Sequence, residues 1–284
     1  LVEDCLELYL RVVRLNNTAT RIISGVFLLL LSLAVFIYGG VPLYVFIGLV
    51  ATIAVIELRR LLILVNAPPI TWLLYMLVIV LVYKQFFAPF LSTELLLALG
   101  LLVGFVTAMI NSKSRVAASI AMGSTLFGAI YLGLPIEYYL RIYTHFYGSS
   151  RGMMWTLLVL LSVAACDTMA YFVGRTFGKH RFFPRISPKK TVEGAVGGIV
   201  GSFIVSFIMG RLLHLGITDI GVLSLVIGVS AQLGDLFESL LKRNAGVKDS
   251  GTLIPGHGGI LDRIDAALIP PVFVYYLAIS LHMF

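Results

Sequence analysis

Apolar runs separated by short polar breaks occupy almost the whole chain. They fall at about residues 22–38, 43–58, 70–83, 90–110, 116–134, 152–174, 192–213, 217–241 and 264–284. Several approach or exceed the roughly 18 residues that a helix needs to cross a bilayer. A membrane β-barrel would instead show short segments of alternating polarity. The pattern therefore predicts an all-α, polytopic helical membrane protein with about nine transmembrane helices. Gly39-Gly40-Val41-Pro42 reads as a tight turn between the first two spans, and Ala67-Pro68-Pro69 as a break before the third. Residues 135–150 (PIEYYLRIYTHFYGSS) read as a polar, aromatic loop at the membrane interface. Residues 1–20 are mildly amphipathic, with Leu6, Leu10 and Val13 at helical spacing. They suit either a short interfacial helix or residues added outside the fold. They are not expected to act as a cleavable leader, because no charged start, short apolar core and small-residue cleavage site follow one another.

Composition agrees with this reading. Of 284 residues, 59% are hydrophobic and only 12% charged, and the mean hydropathy is +1.00. A soluble domain of that length needs far more polar surface. The formal net charge of +7 would suit nucleic acid, but its distribution points to topology and to an anionic lipid or nucleotide. With nine spans, Lys84, Arg141, Arg151 and Arg211 fall on one side, and the other seventeen of the 21 Lys and Arg residues fall on the side of the N-terminus. The positive-inside rule then places the N-terminus in the cytoplasm and the C-terminus outside, as in a bacterial inner-membrane protein. Two cysteines, Cys5 and Cys166, make no disulfide framework.

The character of the chain changes near residue 150. Residues 1–150 read as a scaffold of five spans with dimer and lipid contacts. Residues 151–284 hold four spans and nearly all the plausible chemistry. In the seventh span Gly194 and Gly198, and Gly197 and Gly201, stand four apart, as in helices that pack closely. Ionisable residues inside apolar spans are costly and need a reason. Asp167 lies within the sixth span, Asp235 and Glu238 near the end of the eighth, and Asp262 and Asp265 at the start of the ninth. The predicted topology gathers all five at one membrane face. Plainer roles exist for some of them: Asp262 or Asp265 could favour a helix N-terminus, and Glu238 could pair with Lys242 one turn on. Asp235, Glu238, Ser239 and Lys242 share one helical face.

Several carboxylates in one apolar pocket would repel, and a divalent cation removes that problem. Hard oxygen ligands select magnesium, which binds through one or two carboxylates plus substrate phosphates; no Cys/His cluster has zinc spacing. The basic set is complementary, and much of it lies in Arg175–Thr191, read as a basic loop after the sixth span. Ser187–Glu193 (SPKKTVE) puts Lys189, Lys190 and Thr191 at a helix start, where backbone N–H groups favour phosphate. His257 sits among Gly256, Gly258 and Gly259, which permit close approach of the backbone to an anion. Asp249 and Ser250 read as turn residues.

Residues Ser239–Asp265 (SLLKRNAGVKDSGTLIPGHGGILDRID) resemble the signature of the CDP-diacylglycerol synthases, or phosphatidate cytidylyltransferases. The likeness rests on Ser239, Lys242-Arg243, Lys248-Asp249, Gly251, Pro255, His257-Gly258-Gly259 and Asp262-Arg263-Ile264-Asp265. Asp167–Gly178, Ser187–Gly194 and, less specifically, Glu57 are also similar. Met169 departs from the small residue expected after Asp167-Thr168. The resemblance implies transfer of CMP from CTP to phosphatidate, a magnesium site with potassium as a second ion, and a homodimer with cavities entered from the cytoplasm and the bilayer. On that reading Asp235 and Asp262 hold the metal, with Asp167 and Asp265 as nearby ligands or support. Lys189, Lys190, Lys242 and Arg243 hold phosphates, and Lys248 and His257 stabilise the leaving pyrophosphate. Ser187, Thr191, Ser239, Gly258, Gly259 and Arg263 contact substrate. Two rivals remain: a CTP-dependent lipid or polyprenol kinase built from similar parts, and an ion or metabolite transporter, which would more often show paired repeats and charges near the bilayer midplane.

Overall fold

The computed structural model describes residues 30–112, 114–146, 150–253 and 258–284. The expected interfacial segment, residues 22–29 of the first span and His257 lie outside these residues. The described chain is mostly helical. Helix α1 is described over residues 30–38, α2 is Gly40–Leu64, α3 Thr71–Phe87, α4 Thr93–Asn111 and α5 Arg115–Gly128. A π-helical turn, Ala129–Gly133, joins α5 to α6, Leu134–Thr144. Then come α7 (Ser150–Phe177), strands β1 (Arg181–Phe183) and β2 (Ser187–Thr191), α8 (Val192–Leu212), α9 (Ile217–Asn244), α10 (Leu261–Leu268) and α11 (Pro270–Ser280). Among the described residues, seven helical stretches are long and apolar enough to cross a membrane, and α3 is a shorter apolar helix of 17 residues. The molecule is a polytopic helical membrane protein.

The turn expected at residues 39–42 is confined to Gly39 and Gly40, both at positive φ, a conformation that glycine adopts without steric cost; Val41 and Pro42 already belong to the first turn of α2. The interfacial loop expected at 135–150 does not form over its first part. Helix continues to Thr144, so that residues 115–144 make one rod. Pro135 has no N–H to give the preceding turn. The π-helical turn just before it absorbs the mismatch without breaking the rod. Burial of Tyr138, Leu140 and Ile142 explains why the aromatic residues stay helical. Near the C-terminus Pro270 and Pro271 act the other way, separating α10 from α11 at Ile269.

Two apolar clusters form the interior. One joins α2, α3, the π-turn and α6; the other joins α7, α9 and α11. Helix α10 belongs to both, giving Leu261 and Leu268 to the first and Ala266 to the second. Its charged residues are thereby held where the two clusters meet. Helices α7 and α8 are in near backbone contact. A Cβ on Gly194 would lie 2.8 Å from the carbonyl of Ala170, and one on Gly201 2.6 Å from that of Ala165. The glycine spacing in α8 is thus a packing feature, and Met169, the residue that departs from the resembled pattern, lies against Gly201.

Candidate functional site

Five parts of the chain meet at one end of the bundle. The first is the C-terminal half of α7, carrying Asp167. Gln232 donates from α9 to the carbonyl of Ala195 on α8 at 2.9 Å, which links the two neighbouring helices at the same depth.

The second part is the antiparallel ribbon β1–β2, which the sequence showed only as a basic loop. Arg181 pairs with Thr191 and Phe183 with Ser187. The ribbon ends at Thr191, whose side chain caps α8 by accepting the N–H of Gly194 at 3.1 Å. Glu193 in the first turn of α8 accepts the backbone N–H groups of Lys179 and His180 and lies 2.6 Å from Nδ1 of His180. These contacts fix where the ribbon leaves the membrane helices. As a result Lys190 reaches across to α9, with Nζ 2.7 Å from Oδ2 of Asp235.

The third part is the end of α9. Ser239 donates to Oδ1 of Asp235 at 3.3 Å, one turn away. Lys242 pairs with the fully buried Glu238 and with Oδ1 of Asp262, the latter at 2.7 Å. The plainer role weighed for Glu238, pairing with Lys242, is therefore seen, but Lys242 also ties α9 to α10.

The fourth part is α10. Gly234 lets it approach: a Cβ there would lie 2.6 Å from the carbonyl of Asp265. A larger residue just before Asp235 would push Asp265 away from it. Asp262 is held on both sides. Its Oδ2 accepts the N–H of Gly259 at 2.8 Å and the N–H of Ser250 at 2.9 Å, and lies 3.0 Å from the hydroxyl oxygen of Ser250. Gly258, at φ 83°, lies so close that a Cβ would sit 2.7 Å from the same oxygen. The fifth part is Glu57 on α2, whose carboxylate meets the segment before α10.

The first four parts, with Asp249 from the loop after α9, line a cavity of about 720 Å³, and Glu57 stands behind it. Asp167, Asp235, Asp249, Asp262 and Asp265 line it, with Arg175, Arg181, Lys189, Lys190, Lys242 and Arg263 as the bases and Gln232 and Tyr171 among the neutral residues. Acids and bases are nearly balanced, so a polyphosphate would need further positive charge. Of the residues expected at the site, Asp167, Asp235, Asp262, Asp265, Lys189, Lys190, Thr191, Lys242 and Arg263 all face this cavity. Ser187 is at the start of β2, Ser239 bonds to Asp235, and Arg243 donates to the carbonyl of Ile186 at 3.4 Å, tying the ribbon to α9. Lys248 is exposed in the loop after α9, and Gly258 and Gly259 lie against Asp262 and Glu57. Sequence reasoning passed over Gln232 and Tyr171, and it read Asp249 and Ser250 as turn residues only. A hint was present in Gly251 and Gly259, small residues that flank a segment with carboxylates to accommodate.

The cavity's acidic residues offer oxygen donors alone. Among the described residues no three of His, Cys, Asp and Glu form a ready metal cage. The carboxylates that share the cavity fit magnesium's habit of taking one or two carboxylates and completing its shell with water and phosphate oxygens.

Comparison with known proteins agrees with this chemistry. The chain is 36% identical to the phosphatidate cytidylyltransferase of Bacillus subtilis over 264 residues, 90% of this chain and 96% of that protein. It is 35% identical to that of Staphylococcus epidermidis over 251 residues, covering 87% and 93%, and 32% identical to that of Synechocystis over 289 residues, covering 92% and 96%. The family model for cytidylyltransferases matches residues 19–281, which includes every helix that lines the cavity. A family match over residues 19–281, with relatives at 32–36% identity along nearly the whole chain, therefore places this protein in the cytidylyltransferase family.

Proposed function

We propose that the protein transfers CMP from CTP to phosphatidate, giving CDP-diacylglycerol and pyrophosphate. The observation that carries this reading is the convergence of Asp167, Asp235, Asp262 and Asp265 with Lys189, Lys190 and Lys242 on one cavity at the end of the bundle. A phosphate oxygen of phosphatidate attacks the α-phosphorus of CTP. The new P–O bond forms as the bond from the α-phosphorus to the bridging oxygen breaks, and that oxygen leaves with pyrophosphate. A phosphomonoester has its second pKa at about 6, so the nucleophile is already anionic near neutral pH and needs no general base. The task left to the protein is to hold two anions in line and offset their repulsion.

Lys189 and Lys190, on a ribbon anchored by Thr191 and Glu193, hold nucleotide phosphates together with Lys242 and Arg243. Lys248 and His257 stabilise the departing pyrophosphate. Ser187, Ser239, Thr191, Gly258, Gly259 and Arg263 shape the substrate contacts. Asp235 and Asp262 would hold magnesium, with Asp167 and Asp265 as nearby ligands or support. Magnesium, with potassium as a second ion, supplies charge neutralisation and alignment of the phosphates when bound. The reading includes a homodimer in a cell membrane, with residues 151–284 as the catalytic half, the cavity open to the cytoplasm and the C-terminus outside.

The test is purified protein in detergent with CTP labelled in the base, phosphatidate and magnesium. Label should enter lipid as pyrophosphate is released. Asp235→Asn should lower the rate by at least about a hundredfold, the scale of losing one charge-stabilising group. Chelation of magnesium should stop turnover, and its re-addition should restore it. If label stays in CDP while phosphate passes to the lipid, the protein is a kinase and this reading fails.

A further inference from the structure

We infer that Glu57 is a positioning residue for this reaction: from α2 it holds Ser250 and the start of α10, and so sets Asp262 against Lys242. The inference rests on the function proposed above but comes from a different part of the chain. Glu57 is buried, only 6% exposed. Its Oε1 accepts the N–H of Ile260 at 3.0 Å, and its Oε2 accepts the N–H of Leu261 at 2.8 Å and the hydroxyl of Ser250 at 2.9 Å. The first N–H groups of a helix have no partner within it, and the N-cap position of α10, Ile260, offers no side chain to them. A carboxylate from α2 fills that role, and its charge is favourable at the positive end of the helix. Hydrogen bonds to an ionised acceptor are among the stronger kinds.

The same contact runs on to Asp262. The hydroxyl of Ser250 lies 3.0 Å from Oδ2 of Asp262, and that residue's Oδ1 is 2.7 Å from Lys242. Ser250 is therefore the link between a carboxylate on α2 and one lining the cavity. Two glycines make room for the clamp. A Cβ on Gly251 would lie 2.4 Å from Oε1 of Glu57, and one on Gly259 would lie 2.3 Å from Oε2. Glu57 is absent from the residues that line the cavity; it acts through the backbone that orients Asp262, Arg263 and Asp265.

The test compares Glu57→Ala and Glu57→Gln with the unaltered protein, by steady-state kinetics and by hydrogen–deuterium exchange of residues 258–266. Glu57→Ala should lower kcat about 10- to 100-fold, the range seen when an outer partner of a site is removed. KM for CTP should change less than threefold, because the phosphate-holding lysines of the ribbon are untouched. The amides of Ile260 and Leu261 should exchange faster, while exchange in α3 and α4 stays as it was. Glu57→Gln keeps the shape and one acceptor oxygen, so it should recover part of both properties; it also stands in if the alanine variant does not fold. Wild-type kcat in either variant, or slowed turnover with unchanged exchange at 258–266, would overturn the inference. If the unaltered protein makes no CDP-lipid, the proposed function fails, but the exchange comparison still decides whether Glu57 clamps α10.

Discussion

Lys242 is the residue on which the local electrostatics turn. Its ammonium lies between Glu238, which is fully buried, and Asp262, whose side chain is 5% exposed. Methionine at this position would fill the same space and leave two buried carboxylates without their cation. Removing one partner of a buried ion pair typically costs about 3–5 kcal/mol, most of it from the charge left behind. Lys242→Met should therefore lower thermal stability in detergent as well as abolish turnover. Adding Glu238→Gln removes one of the stranded charges and should restore part of the stability without restoring the activity. A double-mutant cycle on unfolding temperature separates the two roles. If the double variant is no more stable than Lys242→Met, the pairing with Glu238 is not what holds this corner together. Lys242 and Asp262 were legible from sequence because charged residues are rare in apolar spans. Their connection to Glu57 was not, because 193 residues separate Glu57 from Ser250, and no periodicity reports contacts over that distance.

At the level of elements, helix existence followed from the lengths of the apolar runs, and the glycines of α8 announced close packing. The departures came from local chemistry that hydropathy does not register. Pro135 looked like a helix end, yet a π-helical turn carried the chain through it. The ribbon β1–β2 looked like a basic loop, because its few residues with polar side chains carry no strand pattern long enough to read. Contact between α7 and α8 gives a direct test. A methyl group on Gly194 would lie 2.8 Å from a backbone carbonyl, 2.9 Å from Oγ1 of Thr191 and 3.1 Å from the Cα of Gly174. The first and last of these atoms belong to helix backbone and cannot swing aside. Gly194→Ala should cost about 1–3 kcal/mol, as overpacking commonly does, and should slow turnover by moving Thr191 and the ribbon lysines away from α7. Gly123 in α5 is the control: nothing lies within 4 Å of the Cβ it would gain. Gly123→Ala should leave turnover unchanged and keep or raise stability by up to about 1 kcal/mol, the helix preference of alanine over glycine. Equal effects of the two substitutions on unfolding temperature and rate would show that close approach of α7 and α8 does not matter.

Across the whole molecule, charge separates toward the two ends of the bundle. Around the cavity the acids are matched by a larger set of bases. On α6, and so on the far side of the π-turn from α5, a second group gathers on fully buried Glu137: Lys84 at 2.9 Å, Arg141 through Nε at 2.7 Å and Thr93 at 2.7 Å. Lys84 and Arg141 are two of the four bases that the span count sets apart from all others, and they meet on one carboxylate. A helix such as α7, with 28 residues at about 1.5 Å rise each, is long enough to carry the chain from one membrane face to the other. Arg151 lies in its first turn and the cavity near its end, while α9 ends in Asn244 on the cavity side. The nucleotide is a polyanion that does not cross lipid, so the cavity must open toward the compartment that supplies it. Cysteine placed singly at Asn244 or Arg151, both exposed, with Cys5 and Cys166 replaced, reports the direction. A membrane-impermeant thiol reagent should label residue 244 only in inside-out vesicles and residue 151 only in right-side-out ones. The reverse result would turn the molecule over and leave CTP facing the wrong end of the bundle; labelling of both positions from one side would mean that α7, α8 or α9 does not span the membrane.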